Sequence, residues 1–375
     1  MAVKMSVPAQ QTGVAARTER VLIYRLGSLG DMLIALPALH LVERAFPAAK
    51  RCLLTNFPVS AKAPAAKAVL GESGLVHRYE RYAVGTRNPL KLLLLAWRIR
   101  RFRPDVLVYL VAARGVAVAA RDAKFFRWLC GIPRLVGVPL TEDMQGNRAE
   151  ADGLLEPEAS RLLRNIAALG EGDLRSPASW DMRLSSAEIQ QATSALLPVA
   201  GLPLIAVCVG TKVQAKDWGR DNWRALLQRL AQRYTGHALV LMGAPEESDS
   251  SEFAAEGWRS VPRAGAVLNL CGTLAPRSSA AALAFADVFV GHDSGPMHMA
   301  AAVGTVCVAI FAARNRPRVW FPFGEGHHVL YHGVDCGGCE LETCLQQRRK
   351  CLLSITVDEV VSAVDDVLSR PRKER

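Results

Sequence analysis

Short apolar runs alternating with segments of helical spacing, twice over, narrow the folds open to this chain more than any other feature. The first set opens with Arg20–Tyr24 (RVLIY), a glycine-containing turn and a helical pattern over 32–46. It continues with a strand over 51–55, a helix over 89–102, a strand over 106–110 and a helix over 119–131. Strands separated by helices pair in parallel and are covered on both faces. Polar sequence with Ala and Pro over 181–202 weakens the pattern, and a second set then starts with LIAVCV at 204–209. Helix 223–234, strand 238–242, helix 280–286 and strands 288–291 and 306–311 follow. The reading is an α/β chain of two Rossmann-like domains, 20–190 and 191–370, facing each other across a cleft. Its length of 375 residues, half of them hydrophobic, suits two cores rather than one. Residues 1–19 are expected to be a flexible extension and the charged tail from 370 to 375 to be mobile. A last apolar helix, about 356–368, is expected to pack back toward the N-terminal domain.

No apolar stretch approaches the ~20 residues that span a bilayer. Nine cysteines spread over a long chain, with no signal-peptide pattern at the start, fit a reducing cytoplasm. The net charge of +11 is unevenly placed. Between Arg81 and Val136 stand twelve Lys and Arg against two acidic residues, Asp105 and Asp122. Such a face attracts anions, whether nucleic acid, acidic headgroups or an anionic glycolipid, or serves only as a solvated surface.

Ligands of parallel sheets sit beyond the carboxyl ends of the strands, so the chemistry is sought in those loops. The loop after Tyr24 reads Arg25-Leu-Gly-Ser-Leu-Gly-Asp31 and lacks the dinucleotide fingerprint G-x-G-x-x-G. Asp31 at the mouth of the next helix reads as a helix cap or as a base. The run Val290-Gly-His-Asp293-Ser-Gly-Pro-Met-His298 puts Ser294 and Gly295 at a helix N-terminus, an anion site by geometry, with a plain capped helix as the alternative. Gly210-Thr211-Lys-Val-Gln-Ala-Lys216-Asp-Trp218 adds a hydroxyl and a cation, and Gly243-Ala-Pro-Glu-Glu247 a carboxylate for ribose hydroxyls. Three such loops in one half make a nucleotide site. Near the C-terminus, Cys336, Cys339, Cys344 and Cys351 lie within sixteen residues. They leave open a structural zinc or iron site or free thiols.

The Gly30-Asp31 loop, Lys216-Asp-Trp218, Gly243-Ala-Pro and above all Asp293-Ser-Gly-Pro-Met-His298 resemble glycosyltransferase family 9, the ADP-heptose:lipopolysaccharide heptosyltransferases, over about 20–368. The resemblance implies a GT-B type fold and an inverting transfer that requires no cofactor for catalysis. It implies Asp31 as general base, Lys216 at the leaving diphosphate, and Arg25 near the acceptor. Thr211, Lys216, Ser294, Gly295 and His298 would surround the donor diphosphate and Asp293 would meet the donor sugar. Glu247 would contact the ribose and Leu274 the adenine. No D-x-D occurs in the chain, which agrees with a metal-free donor site. Segment 311–317 departs from the family by lacking its glycine-proline turn.

The expected function is transfer of heptose from a nucleotide diphosphate, ADP-heptose, to a hydroxyl of lipopolysaccharide inner core. The partners would be a nucleotide sugar, an anionic glycolipid and the cytoplasmic face of the inner membrane, with no nucleic acid. Arg114, in the basic stretch, is a candidate for an acceptor phosphate or carboxylate. Two alternatives remain at this point: the same fold acting on a protein or other glycan, and a basic nucleic-acid- or membrane-binding protein with a degenerate nucleotide site.

Overall fold

The computed structural model describes residues 19–57 and 64–370. The extension over 1–18 and the tail over 371–375 lie outside them. Two sheets form, both wholly parallel. The first holds β1 (Arg20–Tyr24), β2 (Lys50–Asn56), β3 (Arg78–Tyr82), β4 (Val106–Tyr109) and β5 (Arg134–Val136), in the order β3-β2-β1-β4-β5. The second holds β6 (Leu204–Cys208), β7 (Ala238–Leu241), β8 (Val267–Asn269), β9 (Val288–His292), β10 (Cys307–Phe311) and β11 (His328–Tyr331), in the order β11-β10-β9-β6-β7-β8. Strand order reverses between β1 and β4 and between β6 and β9. Ligand crevices open beyond the carboxyl ends at such points, so the loops after β1, β6 and β9 are placed where binding is expected.

The period of two along each strand sorts its side chains into layers. Val21, Ile23, Leu53, Val106 and Val108 on one face of the first sheet share a core with Leu204, Ala206, Phe289 and Ala309 of the second. The opposite residues, Leu22, Tyr24, Cys52, Leu54, Leu107 and Tyr109, pack under helices Pro89–Phe102 and Val116–Lys124. The helical pattern over 32–46 resolves into two helices, Leu29–Ile34 and Leu36–Ala45. Pro37 in the first turn of the second has no N–H to donate back, so the helix breaks at Ala35.

The two halves are pinned by Arg277, on helix Pro276–Leu283. Its side chain is buried and every nitrogen donates into the first half. Nη1 reaches the carbonyls of Val69, Leu70 and Met182; Nη2 reaches Arg183 O at 2.7 Å; Nε meets Glu188 at 2.6 Å. The closing helix, Val357–Leu368, corrects the expectation made for it. Val360, Val361, Val364 and Val367 join a core with Ile205, Val207, Leu239, Val290 and Val308. It shares the cover of the second sheet's outer face with Trp223, Leu226 and Leu230 of helix Arg220–Arg233.

Candidate active site

The loop after β1 is built around Asp31. Gly27 has φ of +128°, and a Cβ there would come within 2.2 Å of the Asp31 carboxyl carbon, so only glycine permits the turn. The Asp31 carboxylate accepts the Ser28 N–H at 2.7 Å, which makes it part of the helix start as the capping reading requires. Its other oxygen faces the Arg25 guanidinium at 3.6 Å, and the side chain keeps a quarter of its surface open to solvent. A carboxylate used as a cap is thus also left accessible to a substrate.

Arg25 is fully buried. It donates to the Asp31 carbonyl from Nε and Nη2 and to Leu110 O from Nη1, with Glu158 at 3.9 Å. Glu158 is in turn gripped by Arg161 through two bonds of 2.7 Å. A guanidinium so enclosed has no surface for an acceptor. The expected acceptor contact is therefore replaced by a supporting one, in which Arg25 fixes the turn that presents Asp31. The Glu158–Arg161 pair that balances its charge was not seen in the sequence, where nothing sets it apart from a helical surface pair.

Across the cleft, helix Gly295–Ala302 begins directly after β9 with Ser294 as its N-cap residue. Among the described residues the buried Ser294 hydroxyl has no hydrogen-bond partner, at the point where the helix N–H groups converge. Gly295 is needed for close approach, since a Cβ there would lie 2.3 Å from Leu29. Gly30 likewise faces His298, whose ring would sit 3.2 Å from a Cβ on it. These contacts bring the two loops of the cleft together.

Lys216 bonds Asp293 twice, from Nζ to the carboxylate at 2.6 Å and to the backbone carbonyl at 3.1 Å. Asn315 donates to the same carboxylate at 3.2 Å. Asn315 lies in segment 311–317, which departs from the family pattern and gave no signal of this contact. His292 accepts the Trp218 N–H at 3.0 Å and so ties the Lys216 loop to β9.

A cavity of about 640 Å³ runs between the halves. Ser28, Leu29 and Gly30 line one side, and Thr211, Lys216, Asp293, Ser294 and Gly295 the other. Asp31 follows the three lining residues in the first helical turn. Leu274, Leu283, Met242 and Met299 give the cavity an apolar end. Glu247 reaches it with a carboxylate that accepts the Ala244 N–H at 2.8 Å. Gly210 makes room for that carboxylate, because a Cβ there would lie 2.0 Å from it. The buried His298 does not line the cavity but stands behind its wall.

Arg114 stands apart from this cavity. It meets Asp122 at 2.5 Å and the Tyr109 hydroxyl at 3.0 Å, and its guanidinium lies 5.9 Å from the Tyr24 ring centre. Its charge is thereby committed to Asp122, with about a quarter of the side chain exposed. For the four C-terminal cysteines, left open in the sequence between a structural metal site and free thiols, the described residues supply no ligand cluster. Among the described residues no group of three or more His, Cys, Asp or Glu side chains is arranged to hold a metal ion. The loop that carries them is instead fastened to the donor-side loops, with the Cys344 N–H on Gln214 Oε1 at 2.9 Å and the Ala215 N–H on Glu342 O at 3.0 Å. Burial raises the Cys351 thiol, with Cys336 and Cys344 adding to the effect.

The family model for "Glycosyltransferase family 9 (heptosyltransferase)" matches residues 160–349, half of the chain. The chain belongs to glycosyltransferase family 9. Lipopolysaccharide heptosyltransferase 1 of Pseudomonas aeruginosa is 25% identical over 352 residues, 88% of each chain. Lipooligosaccharide heptosyltransferase 2 of Campylobacter jejuni is 28% identical over 155 residues, 41% of this chain and 47% of that one. The match thus spans under half the length of the Campylobacter protein. The solved structure of E. coli ADP-heptose lps heptosyltransferase II aligns with TM-score 0.63 over 93% of this chain and 98% of that one, at 18% identity. The two-sheet architecture is the GT-B type of these family 9 structures.

Burial lowers both His292 and His298 to about 4, so both rings are neutral near neutral pH. An unfolded histidine titrates near 6.5. Below that value the unfolded chain takes up protons that the folded one refuses, and stability falls as pH drops from about 6.5 toward 4. The urea midpoint is expected to be lower at pH 5 than at pH 7, with a smaller drop in His298→Gln. Equal drops in wild type and variant would show that His298 does not titrate as its burial dictates.

Proposed function

We propose that the chain is an inverting heptosyltransferase that moves heptose from ADP-heptose to a hydroxyl of lipopolysaccharide inner core. The observation that carries this reading is a single cavity that sets the Asp31 turn opposite Lys216 and the helix start at Ser294. The names of the family 9 relatives supply the sugar and the acceptor, and the E. coli structure supplies the nucleotide.

In this reading the donor diphosphate lies against the Ser294 and Gly295 N–H groups, where the Ser294 hydroxyl gives a further donor. Thr211 and Lys216 flank it. Asp293, held by Lys216 and Asn315, is left to orient the sugar. Glu247 accepts from the ribose hydroxyls, and the apolar end around Leu274 takes the base. The acceptor oxygen attacks the anomeric carbon from the side opposite the diphosphate. One carbon–oxygen bond forms, the bond to the β-phosphate breaks, ADP leaves with the electron pair, and Asp31 takes the acceptor's proton. Charge grows on the leaving phosphate as that bond breaks, so Lys216 and the helix terminus stabilise the transition state more than the bound donor.

Removing the cation tests the donor site directly. Lys216→Met is expected to weaken ADP binding in calorimetry by about ten- to a hundredfold, the range for losing one charge-assisted contact. Asp31→Asn should leave it within about twofold, since that group serves the acceptor. Wild type that binds neither ADP nor ADP-heptose would remove the reading.

A further inference from the structure

Helix Pro89–Phe102 (PLKLLLLAWRIRRF) carries two apolar faces where the fold uses one. Leu95, Ala96, Ile99 and Phe102 are buried on the first sheet. Leu90, Leu93, Leu94 and Trp97, at the i, i+3, i+4, i+7 spacing of the opposite face, are 74%, 55%, 56% and 55% exposed. Covering the sheet does not require them. Beside them lies the single π turn Phe125–Leu129, whose Trp128 is 74% exposed and receives the Arg100 guanidinium on its carbonyl at 3.3 Å.

The charge around this apolar face is mainly positive, the neighbouring Glu80 being held by Arg78 and Arg98. Lys91, Arg100, Arg101, Arg121, Lys124 and Arg127 are exposed. Between Arg81 and Val136 the two acidic residues are both spoken for. Asp122 is buried against Arg114, and Asp105 accepts the N–H groups of Glu19 and Arg20. The Arg101 guanidinium lies 5.6 Å from the Trp97 ring centre, so a cation sits directly beside an exposed indole. A protein partner matching this surface would need its own acidic ring around an apolar patch. A bilayer with anionic headgroups supplies both at once, with acyl chains for the leucines, an interface for Trp97 and Trp128, and phosphates for the lysine and arginines.

We infer that helix Pro89–Phe102, with Trp128, docks the protein on an anionic lipid surface. The helix lies in the plane of the headgroups, its outer leucines dipping below them while the basic side chains reach up to the phosphates. This face is on the side of the first sheet away from the second, so docking leaves the cavity between the halves uncovered.

The test uses the full chain without donor or acceptor, so its outcome is independent of the proposed reaction. Sedimentation is measured with phosphatidylcholine vesicles and with mixed phosphatidylcholine–phosphatidylglycerol vesicles. Wild type is expected to bind the mixed vesicles, to release from them as salt rises, and to bind pure phosphatidylcholine weakly. The pairs Leu93→Glu with Trp97→Glu and Arg100→Glu with Arg101→Glu should each lower the partition coefficient by about tenfold or more, with unchanged circular dichroism. Binding that ignores the anionic lipid, or that survives both pairs, would overturn the inference. So would a lipid-free dimer that Leu93→Glu with Trp97→Glu turns into a monomer, because the face would then belong to a second copy of the chain.

Discussion

Asp31→Asn is expected to lower kcat by about 10²- to 10⁴-fold, the range for losing a positioned general base. The substitution separates the capping contact seen in the structure from the base role proposed for the same side chain. As a cap, the carboxylate oxygen accepts the Ser28 N–H, and the carboxamide oxygen of Asn does the same. The turn enforced by Gly27 and the helix start at Leu29 should therefore persist, with a thermal midpoint close to wild type. As a base, the carboxylate must take a proton, which an amide does not do at neutral pH. The Arg25 guanidinium faces this carboxylate at 3.6 Å. Steady-state turnover of Asp31→Asn with an unchanged melting curve is the measurement. Activity within about threefold of wild type would mean that Asp31 only caps the helix.

Arg277→Ala is expected to cost about 3–5 kcal/mol of stability, the range for breaking a buried, hydrogen-bonded ion pair. The change takes the cation from Glu188, which keeps the Ser185 N–H, and removes donors from the carbonyls of Val69, Leu70, Met182 and Arg183 together. Arg277→Lys should recover little, because an ammonium reaches one or two of these acceptors and lacks the planar fork that serves them all. Because Pro276, Ser279 and Leu283 of the same helix line the cavity, and Ala68 lines it from the other half, loosening this pin should also raise KM for the donor. Urea denaturation of the three proteins tests the claim, and a loss below about 1 kcal/mol would show that the halves are held by their other contacts, such as Arg318 with Glu150 and Asp152.

Much of the fold was legible because its central strands are buried on both faces. Arg20–Tyr24, Leu204–Cys208, Val288–His292 and Cys307–Phe311 are nearly continuous apolar runs bounded by glycine-bearing loops, and the sequence reading found each within two residues. The outer strands β3 (RYERY), β5 (RLV), β8 (VLN) and β11 (HVLY) were missed. They are only partly buried, and three of them have four residues or fewer, so their composition keeps no strong hydrophobic signal. The site divides in the same way. Asp31, Lys216, Asp293 and Ser294 sit in loops whose order of residue types has a local meaning. Asn315 and Arg277 act through partners that are distant in sequence, as Glu158 does toward Arg25, and no local pattern announces such a partner. Arg25 shows the converse limit: the motif singles it out, but only the structure shows it buried with its guanidinium on the Asp31 carbonyl.

The central claim, that one cavity joins a base to a diphosphate site for heptosyl transfer, is tested most directly by ADP release from ADP-heptose in the presence of a chelator. The assay adds heptose-deficient lipopolysaccharide core to wild type, Asp31→Asn and Lys216→Met. ADP release that requires the core, persists in chelator and collapses in both variants is the predicted result. Donor binding without release on any core acceptor would contradict the acceptor assigned here and turn attention to protein or other glycan hydroxyls, and release that stops with chelator would contradict the metal-free transfer.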